Sequence, residues 1–196
     1  MPNTQKRVFI IHGWGGNPEE GWLPWIKNEL EKKGFFVEIP TMPNTDEPTI
    51  KEWVPHLQNS VGKSDKNTYF IGHSIGCQTI MRYFETLTDG EHTGGAIFVA
   101  GWFHLINQTD EEKEIAKPWL ETPIYFEKIK KHAESFKAIF SDNDPFVPIE
   151  DAALFEKNLS AKIIVEHDKG HFSGSDEIKE LPSALTAILE IAEKNN

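Results

Sequence analysis

The chain has 196 residues, a length that most simply folds as one domain over residues 1–196. Its 31 acidic and 20 basic side chains give a net charge of −11, which argues against nucleic acid as a partner because phosphate binding depends on Lys and Arg. No apolar run approaches the roughly 18 residues that span a bilayer, so we expect no membrane partner. The single cysteine, Cys77, cannot form an internal disulfide, and a reducing cytoplasm is the expected compartment.

Six short apolar runs along the chain predict β-strands. Most of them are continuous rather than alternating with polar residues, which is typical of strands buried on both faces of a parallel sheet. The runs are RVFIIH (7–12), FFVEIP (35–40), TYFIG (68–72), GAIFVAG (95–101), FKAIFS (136–141) and AKIIVEH (161–167).

Helical patterns separate these strands. The predicted helices begin at Pro24, Pro148 and Pro182 and also cover residues 49–60 and 75–87. This alternation predicts a doubly wound α/β fold, with helices on both faces of a mainly parallel sheet of six strands. The least regular segment is 102–135, which we expect to form an excursion over the sheet.

The sequence IGHSIG places a serine between two glycines where a predicted strand meets a predicted helix. Strand and helix approach closely at such a turn, so Gly72 and Gly76 avoid clashes there. The strained turn exposes the hydroxyl of Ser74 at the carboxyl end of the sheet, where open α/β folds bind ligands. A tight turn without chemistry is the alternative, but the flanking strand and helix favour Ser74 as a nucleophile.

A serine nucleophile needs a histidine base and an orienting acid, which at this kind of turn follow the serine in the order acid, then histidine. The loop DNDPFVP offers Asp142 and Asp144, and we favour Asp144 because the Asp-Pro step leaves its carboxylate in a loop. The loop DKGHF offers His171, with His167 at the strand end as the weaker candidate. The two histidines are four residues apart, but Gly170 and the strand context argue against a zinc site, and we expect no metal or cofactor.

The negative charge that develops on attack requires amide donors. One is expected from the backbone N–H of Ile75, directly after the nucleophile. The other is expected from the loop HGWGG (12–16), where the amide of Trp14 is well placed. A plain glycine turn is the competing interpretation of this loop.

Several other side chains near the predicted strand ends have simpler interpretations. His12 and His73 are expected to hold the loops around the site rather than to transfer protons, and Cys77 is expected to pack as a small apolar residue. An apolar pocket for an acyl or aryl group is predicted from four aromatic residues, although half of them could equally be ordinary core. They are Trp14, Trp102, Phe103 and Phe146.

Taken together, the motifs resemble the small α/β-hydrolases of the retinoblastoma-binding-protein-nine and YdeN type. The resemblance extends from Val8 to about Leu189 and is carried by IIHGWGG, WLPWIKNELEKKG, TMPN, IGHSIGC, SDNDPFVP and GHF. It implies a minimal hydrolase with a six-stranded sheet and little or no cap domain. It also implies a triad of Ser74, Asp144 and His171, with Trp14 and Ile75 at the oxyanion positions.

Two functional classes follow from these features. The first is a serine hydrolase that cleaves a small ester, or else an amide or peptide, through an acyl-enzyme intermediate. The second is an interaction protein that keeps the fold with an idle or secondary triad, since fold alone does not separate the two. The complete set of nucleophile, acid, base and both oxyanion loops favours the enzyme.

Overall fold

A six-stranded parallel sheet forms the centre of the computed structural model, which describes residues 5–133 and 135–194. The strand order is β2-β1-β3-β4-β5-β6, and every neighbouring pair is parallel. The strands are β1 (Arg7–Ile11), β2 (Phe36–Glu38), β3 (Thr68–His73), β4 (Gly95–Val99), β5 (Phe136–Ser141) and β6 (Lys162–Glu166). All six predicted strands are confirmed, although β2 is shorter than the apolar run 35–40 that predicted it.

Helices cover both faces of the sheet. They are α1 (Leu23–Glu31), α2 (Ile50–Val61), α3 (Ile75–Thr86), α4 (Asp110–Glu121), α5 (Phe126–His132), α6 (Asp151–Leu159) and α7 (Pro182–Lys194). A short 3₁₀ turn, Gly174–Asp176, precedes α7. None of the helices in this described part of the chain is long and apolar enough to cross a membrane.

Alternate residues of the buried strands pack into two separate hydrophobic cores, one on each face of the sheet. Phe9 and Ile11 of β1 pack on one face with side chains from α2, α3 and α6. Val8 and Ile10 pack on the other face with side chains from α1 and α7. The fold is therefore a three-layer α/β/α sandwich, as the continuous apolar runs predict.

The segment 102–135 is more regular than its sequence suggests, because it contains α4 and α5. Thr109 and Glu112 form a reciprocal capping box at the start of α4. The buried guanidinium of Arg82 on α3 donates to the carbonyl oxygens of Trp119 and Thr122 at 2.8 and 3.0 Å. These bonds hold the segment against α3, so it forms one wall of the site rather than a separate cap.

Candidate active site

Ser74 occupies a strained turn between β3 and α3. Its backbone has φ 52° and ψ −118°, a region that residues with a side chain rarely adopt. A β-carbon on Gly72 would lie 2.7 Å from the amide nitrogen of Cys77, and one on Gly76 would lie 2.3 Å from the carbonyl oxygen of Ile11. Both glycines are therefore required by the close approach of strand and helix, as the sequence predicts.

The structure brings Ser74, His171 and Asp144 into one chain of hydrogen bonds. The Ser74 hydroxyl donates to His171 Nε2 at 2.9 Å, and His171 Nδ1 donates to Asp144 Oδ2 at 2.8 Å. The Asp144 bond keeps the histidine in the tautomer whose Nε2 can accept the serine proton. The three side chains thus have the geometry of nucleophile, general base and orienting acid.

The second oxygen of Asp144 is held by its own loop. Asp144 Oδ1 accepts hydrogen bonds from the backbone amides of Phe146 and Val147 at 2.9 and 3.0 Å. One carboxylate oxygen is therefore fixed by the backbone while the other faces His171. The Phe146 ring stands edge-on to the His171 imidazole, with ring centroids 5.3 Å apart.

The alternative candidates for acid and base, Asp142 and His167, form a hydrogen bond with each other at the surface. His167 Nδ1 donates to Asp142 Oδ2 at 2.5 Å, and Asp142 Oδ1 accepts the amide of Asp168 at 3.1 Å. The hydrogen bond from His167 lowers the pKa of Asp142, and Asp142 in turn raises the pKa of His167. The His167 side chain is 82% exposed, and no hydrogen bond joins this pair to Ser74 in the described residues.

Three polar residues that the sequence interpretation missed hold the acid and base loops together. Asn143 Oδ1 accepts from the Ser141 hydroxyl at 2.7 Å and from the Gly170 amide at 2.8 Å, so it joins the loop after β5 to the loop after β6. Asp176 Oδ2 accepts the backbone amide of His171 at 3.0 Å. The polar run SDND between strand and proline was the available signal, because Asn and Asp side chains commonly bond nearby backbone.

His73 and His12 contact the loops around the site. His73 Nε2 donates to the carbonyl oxygen of His171 at 2.7 Å. His12 Nε2 accepts the amide of Met42 at 3.2 Å, and its Nδ1 donates to the carbonyl oxygen of Gly13 at 2.9 Å. Burial is the main cause that lowers the pKa of His73 to about 4, and burial likewise lowers the pKa of His12. Both rings are neutral at physiological pH, as suits a positioning role.

We expect the free energy of unfolding to fall by about 3 kcal/mol as the pH drops from 6.5 to 4 through the titration of His73 alone. The unfolded chain takes up this proton below the ordinary pKa of 6.5, whereas the folded protein takes it up only below about 4. Between these values the unfolded state binds more protons, so acidification destabilises the folded state. Urea unfolding of the wild type and of His73→Gln at pH 7, 5.5 and 4.5 measures the effect. Parallel pH dependences of the two proteins would contradict it.

The loop HGWGG runs beside the serine turn. The Gly15 amide donates to the carbonyl oxygen of Thr45 at 2.8 Å, and the Trp14 indole donates to that of Asp46 at 2.9 Å, so both residues are anchored to the segment after β2. A β-carbon on Gly13 would lie 2.9 Å from the His73 ring. The backbone amides of Trp14 and Ile75 donate to no protein acceptor among the described residues, and both are free to bind a ligand.

A cavity of about 220 Å³ opens at the Ser74–His171 pair. Three of the four predicted aromatic residues line it, namely Trp14, Trp102 and Phe146. Phe103 is the exception, because its ring packs into the core against Phe155, with centroids 4.6 Å apart. The polar lining includes several side chains that the sequence interpretation did not single out. They are Glu20, Gln108, Glu112 and Ser173.

Cys77 lies beneath the serine turn and is fully buried. Its thiol donates to the carbonyl oxygen of Val99 at 3.4 Å, and burial raises its pKa. A buried thiol of this kind is unreactive, which agrees with a packing role. Among the described residues, no group of three or more His, Cys, Asp or Glu side chains is arranged to hold a metal ion.

A parallel six-stranded sheet with a serine at the strained turn after β3 is the framework of the α/β-hydrolases. Residues 8–190 match the family model described as serine hydrolase, and the chain belongs to that family. The resemblance drawn from the sequence motifs is thereby confirmed.

Two relatives illustrate the likeness in sequence. The protein YdeN of Bacillus subtilis (strain 168) is 28% identical over 177 residues, which cover 90% of this chain and 91% of YdeN. The serine hydrolase RBBP9 of Rattus norvegicus is 28% identical over 191 residues, covering 96% of this chain and 98% of RBBP9.

Solved structures show the same likeness in three dimensions. The crystal structure of the B. subtilis ydeN gene product superimposes with a TM-score of 0.88 at 26% identity, covering 96% of this chain and 100% of that one. A structure from a study of carboxylesterases of Nitrososphaera gargenis shares the fold, with a TM-score of 0.72 at 16% identity and coverage of 98% and 93%. The protein is thus a hydrolase of the α/β type.

Proposed function

We propose that the protein hydrolyses a small ester through an acyl-enzyme intermediate on Ser74. The observation that carries the proposal is the hydrogen-bonded chain from the Ser74 hydroxyl through His171 to Asp144, with distances of 2.9 and 2.8 Å. An isolated serine hydroxyl is a weak nucleophile, and this chain supplies both the base and its orienting acid.

Each residue has a distinct role in the proposed reaction. His171 Nε2 takes the proton of Ser74 as Oγ attacks the ester carbonyl, while Asp144 stabilises the imidazolium that forms. The amides of Trp14 and Ile75 bind the oxygen that becomes negative. His171 then gives its proton to the leaving alcohol, which leaves the acyl group on Ser74. A water molecule, deprotonated by His171, releases the acid and restores the serine.

The cavity supports a small substrate. Its volume of about 220 Å³ lies below the roughly 300–1,000 Å³ of sites for drug-sized ligands. Trp14, Trp102 and Phe146 offer apolar contact to a short acyl or aryl group. An amide or peptide bond is harder to cleave and is the alternative substrate for the same catalytic groups.

We propose that the protein acts in a reducing cytoplasm. The buried thiol of Cys77 forms no disulfide, which suits that compartment.

A graded series of p-nitrophenyl esters tests the proposal. We expect turnover of the acetate to butyrate members and a steep fall for the octanoate, together with rapid labelling by a fluorophosphonate probe. Failure of every ester and of the probe would refute hydrolysis and favour an interaction protein with an idle triad. A panel of aminoacyl amides run in parallel separates esterase from amidase activity.

The oxyanion role of the HGWGG loop can be tested at position 14. Trp14→Ala keeps the backbone amide and is expected to alter substrate binding more than the chemical step. Trp14→Pro deletes that amide, and the loss of one oxyanion donor typically lowers turnover by about 10²–10³. Circular dichroism and melting must first show that the proline variant is folded. Equal turnover by the two folded variants would show that the Trp14 amide is not an oxyanion donor and that the HGWGG loop has only a structural role.

A further inference from the structure

The cavity at Ser74 carries two negative charges and no opposing cation. Glu20 and Glu112 both line it, and none of its described lining residues is lysine or arginine. Burial lowers the pKa of His73, which also lines the cavity, so its ring is neutral and does not offset these charges. A substrate therefore meets an anionic surface as it enters.

Glu20 stands beside the loop that presents the Trp14 amide. A β-carbon placed on Gly16 would lie 2.7 Å from Glu20 Oε2. Glu20 Oε1 accepts the backbone amide of Gly174 at 3.4 Å, within the loop that follows His171. The carboxylate is thus held between the HGWGG loop and the loop that follows His171, where it lines the cavity.

Glu112, the second carboxylate of the cavity, lies in the first turn of α4. Its carboxylate accepts hydrogen bonds from the amide and the hydroxyl of Thr109 at 2.7 and 2.8 Å. The Thr109 amide is the main cause that lowers the pKa of Glu112, and the N-terminus of a helix also favours a negative charge. Glu112 therefore remains ionised when a substrate is present.

Three aromatic residues form part of the remaining cavity wall. Trp14, Trp102 and Phe146 contribute rings whose faces attract cations, most strongly in the case of tryptophan. Carboxylates combined with aromatic rings are the side chains that bind ammonium groups, whether primary or quaternary. A carboxylate-bearing substrate would be repelled by the same surface. The net charge of −11 adds a long-range attraction for cations.

We propose that the substrate of this site is an ester that carries an ammonium group, which Glu20 and Glu112 bind while Ser74 attacks the carbonyl. The proposal rests on the hydrolytic function proposed above and adds the charge of the substrate to it. Glu20 and Glu112 determine specificity and take no part in proton transfer.

Acetylthiocholine and 3,3-dimethylbutyl thioacetate test this directly, because they differ only in a positive nitrogen replaced by carbon. In both, the acetyl group passes from sulfur to Ser74, the thiol leaves with the proton held by His171, and water then releases acetate. We expect kcat/KM for the cation to exceed that for the neutral thioester by about 3- to 30-fold at low salt. The preference should shrink as ionic strength rises.

Charge-removing variants assign the preference to these residues. Glu112→Gln retains a side chain that can complete the capping box, and Glu20→Gln retains an acceptor for Gly174, so each removes little besides the charge. Each should lower the cation-to-neutral ratio about 2- to 5-fold, and the double variant should bring it near one. The matched controls are Glu19→Gln and Glu111→Gln, neighbouring residues that do not line the cavity and whose loss should leave the ratio unchanged.

The outcomes separate the two levels of the proposal. A ratio near one in the wild type, with normal turnover of the neutral thioester, overturns ammonium recognition and leaves hydrolysis standing. A high ratio that survives the double variant, or that falls equally in the two controls, overturns the assignment to Glu20 and Glu112. Absence of turnover for both thioesters, with no fluorophosphonate labelling, overturns the hydrolytic function and the ammonium proposal with it.

Discussion

Replacing Ser74 with alanine is expected to abolish fluorophosphonate labelling and to lower ester turnover by about 10⁶, the loss typical of a triad that has lost its nucleophile. The change removes the only hydroxyl that donates to His171 Nε2 in the described structure. Turnover and labelling, measured with an intact melting transition, provide the test.

Ser173 supplies the matched control for this experiment. Its hydroxyl also lines the cavity, but it donates to Asp176 at 2.6 Å instead of to a histidine. Ser173→Ala should therefore keep most of the labelling. If Ser74→Ala retains near-wild-type activity, or if the probe reacts at Ser173, the nucleophile has been assigned to the wrong residue.

Asp144→Asn is expected to lower turnover by about 10⁴. The amides of Phe146 and Val147 would hold the amide oxygen of the new side chain, so its NH₂ group would face His171 Nδ1. Nδ1 would then have to accept a hydrogen bond, which places the ring proton on Nε2. A histidine in that tautomer cannot take the proton of Ser74.

The surface pair Asp142 and His167 provides the control for both acid and base. It has the same residue types and a similar hydrogen bond, but it lies outside the serine site. Asp142→Asn and His167→Ala should each leave turnover within a small factor of the wild type, whereas His171→Ala should be as damaging as the loss of the acid. The opposite ranking in kcat measurements would show that Asp142 and His167, rather than Asp144 and His171, are the acid and base.

The sheet could be predicted from the sequence mainly because its four central strands, β1, β3, β4 and β5, are buried on both faces. Such strands must be apolar at nearly every position. A run such as FKAIFS can therefore be recognised as a strand from its own residues, without knowledge of the strands that pair with it. The grouping of Ser74, Asp144 and His171 could be predicted for a related reason. Each follows a parallel strand, and the carboxyl ends of parallel strands meet at one edge of the sheet.

The segment 102–135 resisted prediction because distant contacts determine its structure. Helix α4 is mostly polar, contains Pro118 and is held by Arg82 from another helix. None of these features appears as an apolar period in the local sequence. The direction of Phe103 depends on the same packing, since its ring enters the core when α5 and α6 dock. The cavity residues Gln108 and Glu112 could not be identified for the same reason.

The two hydrogen bonds that Asn143 accepts from Ser141 and Gly170 have a consequence for how the protein folds during synthesis. The serine and its base are separated by 97 residues, and the base loop is held to the acid loop only after β6 has paired with β5 at the edge of the sheet. A nascent chain that has folded its first four strands would carry a fully shaped serine turn with no partner to activate it. Because such long-range pairing is slow, hydrolytic competence should appear as one of the last events of folding. The enzyme would thus be silent until its final strand is in place.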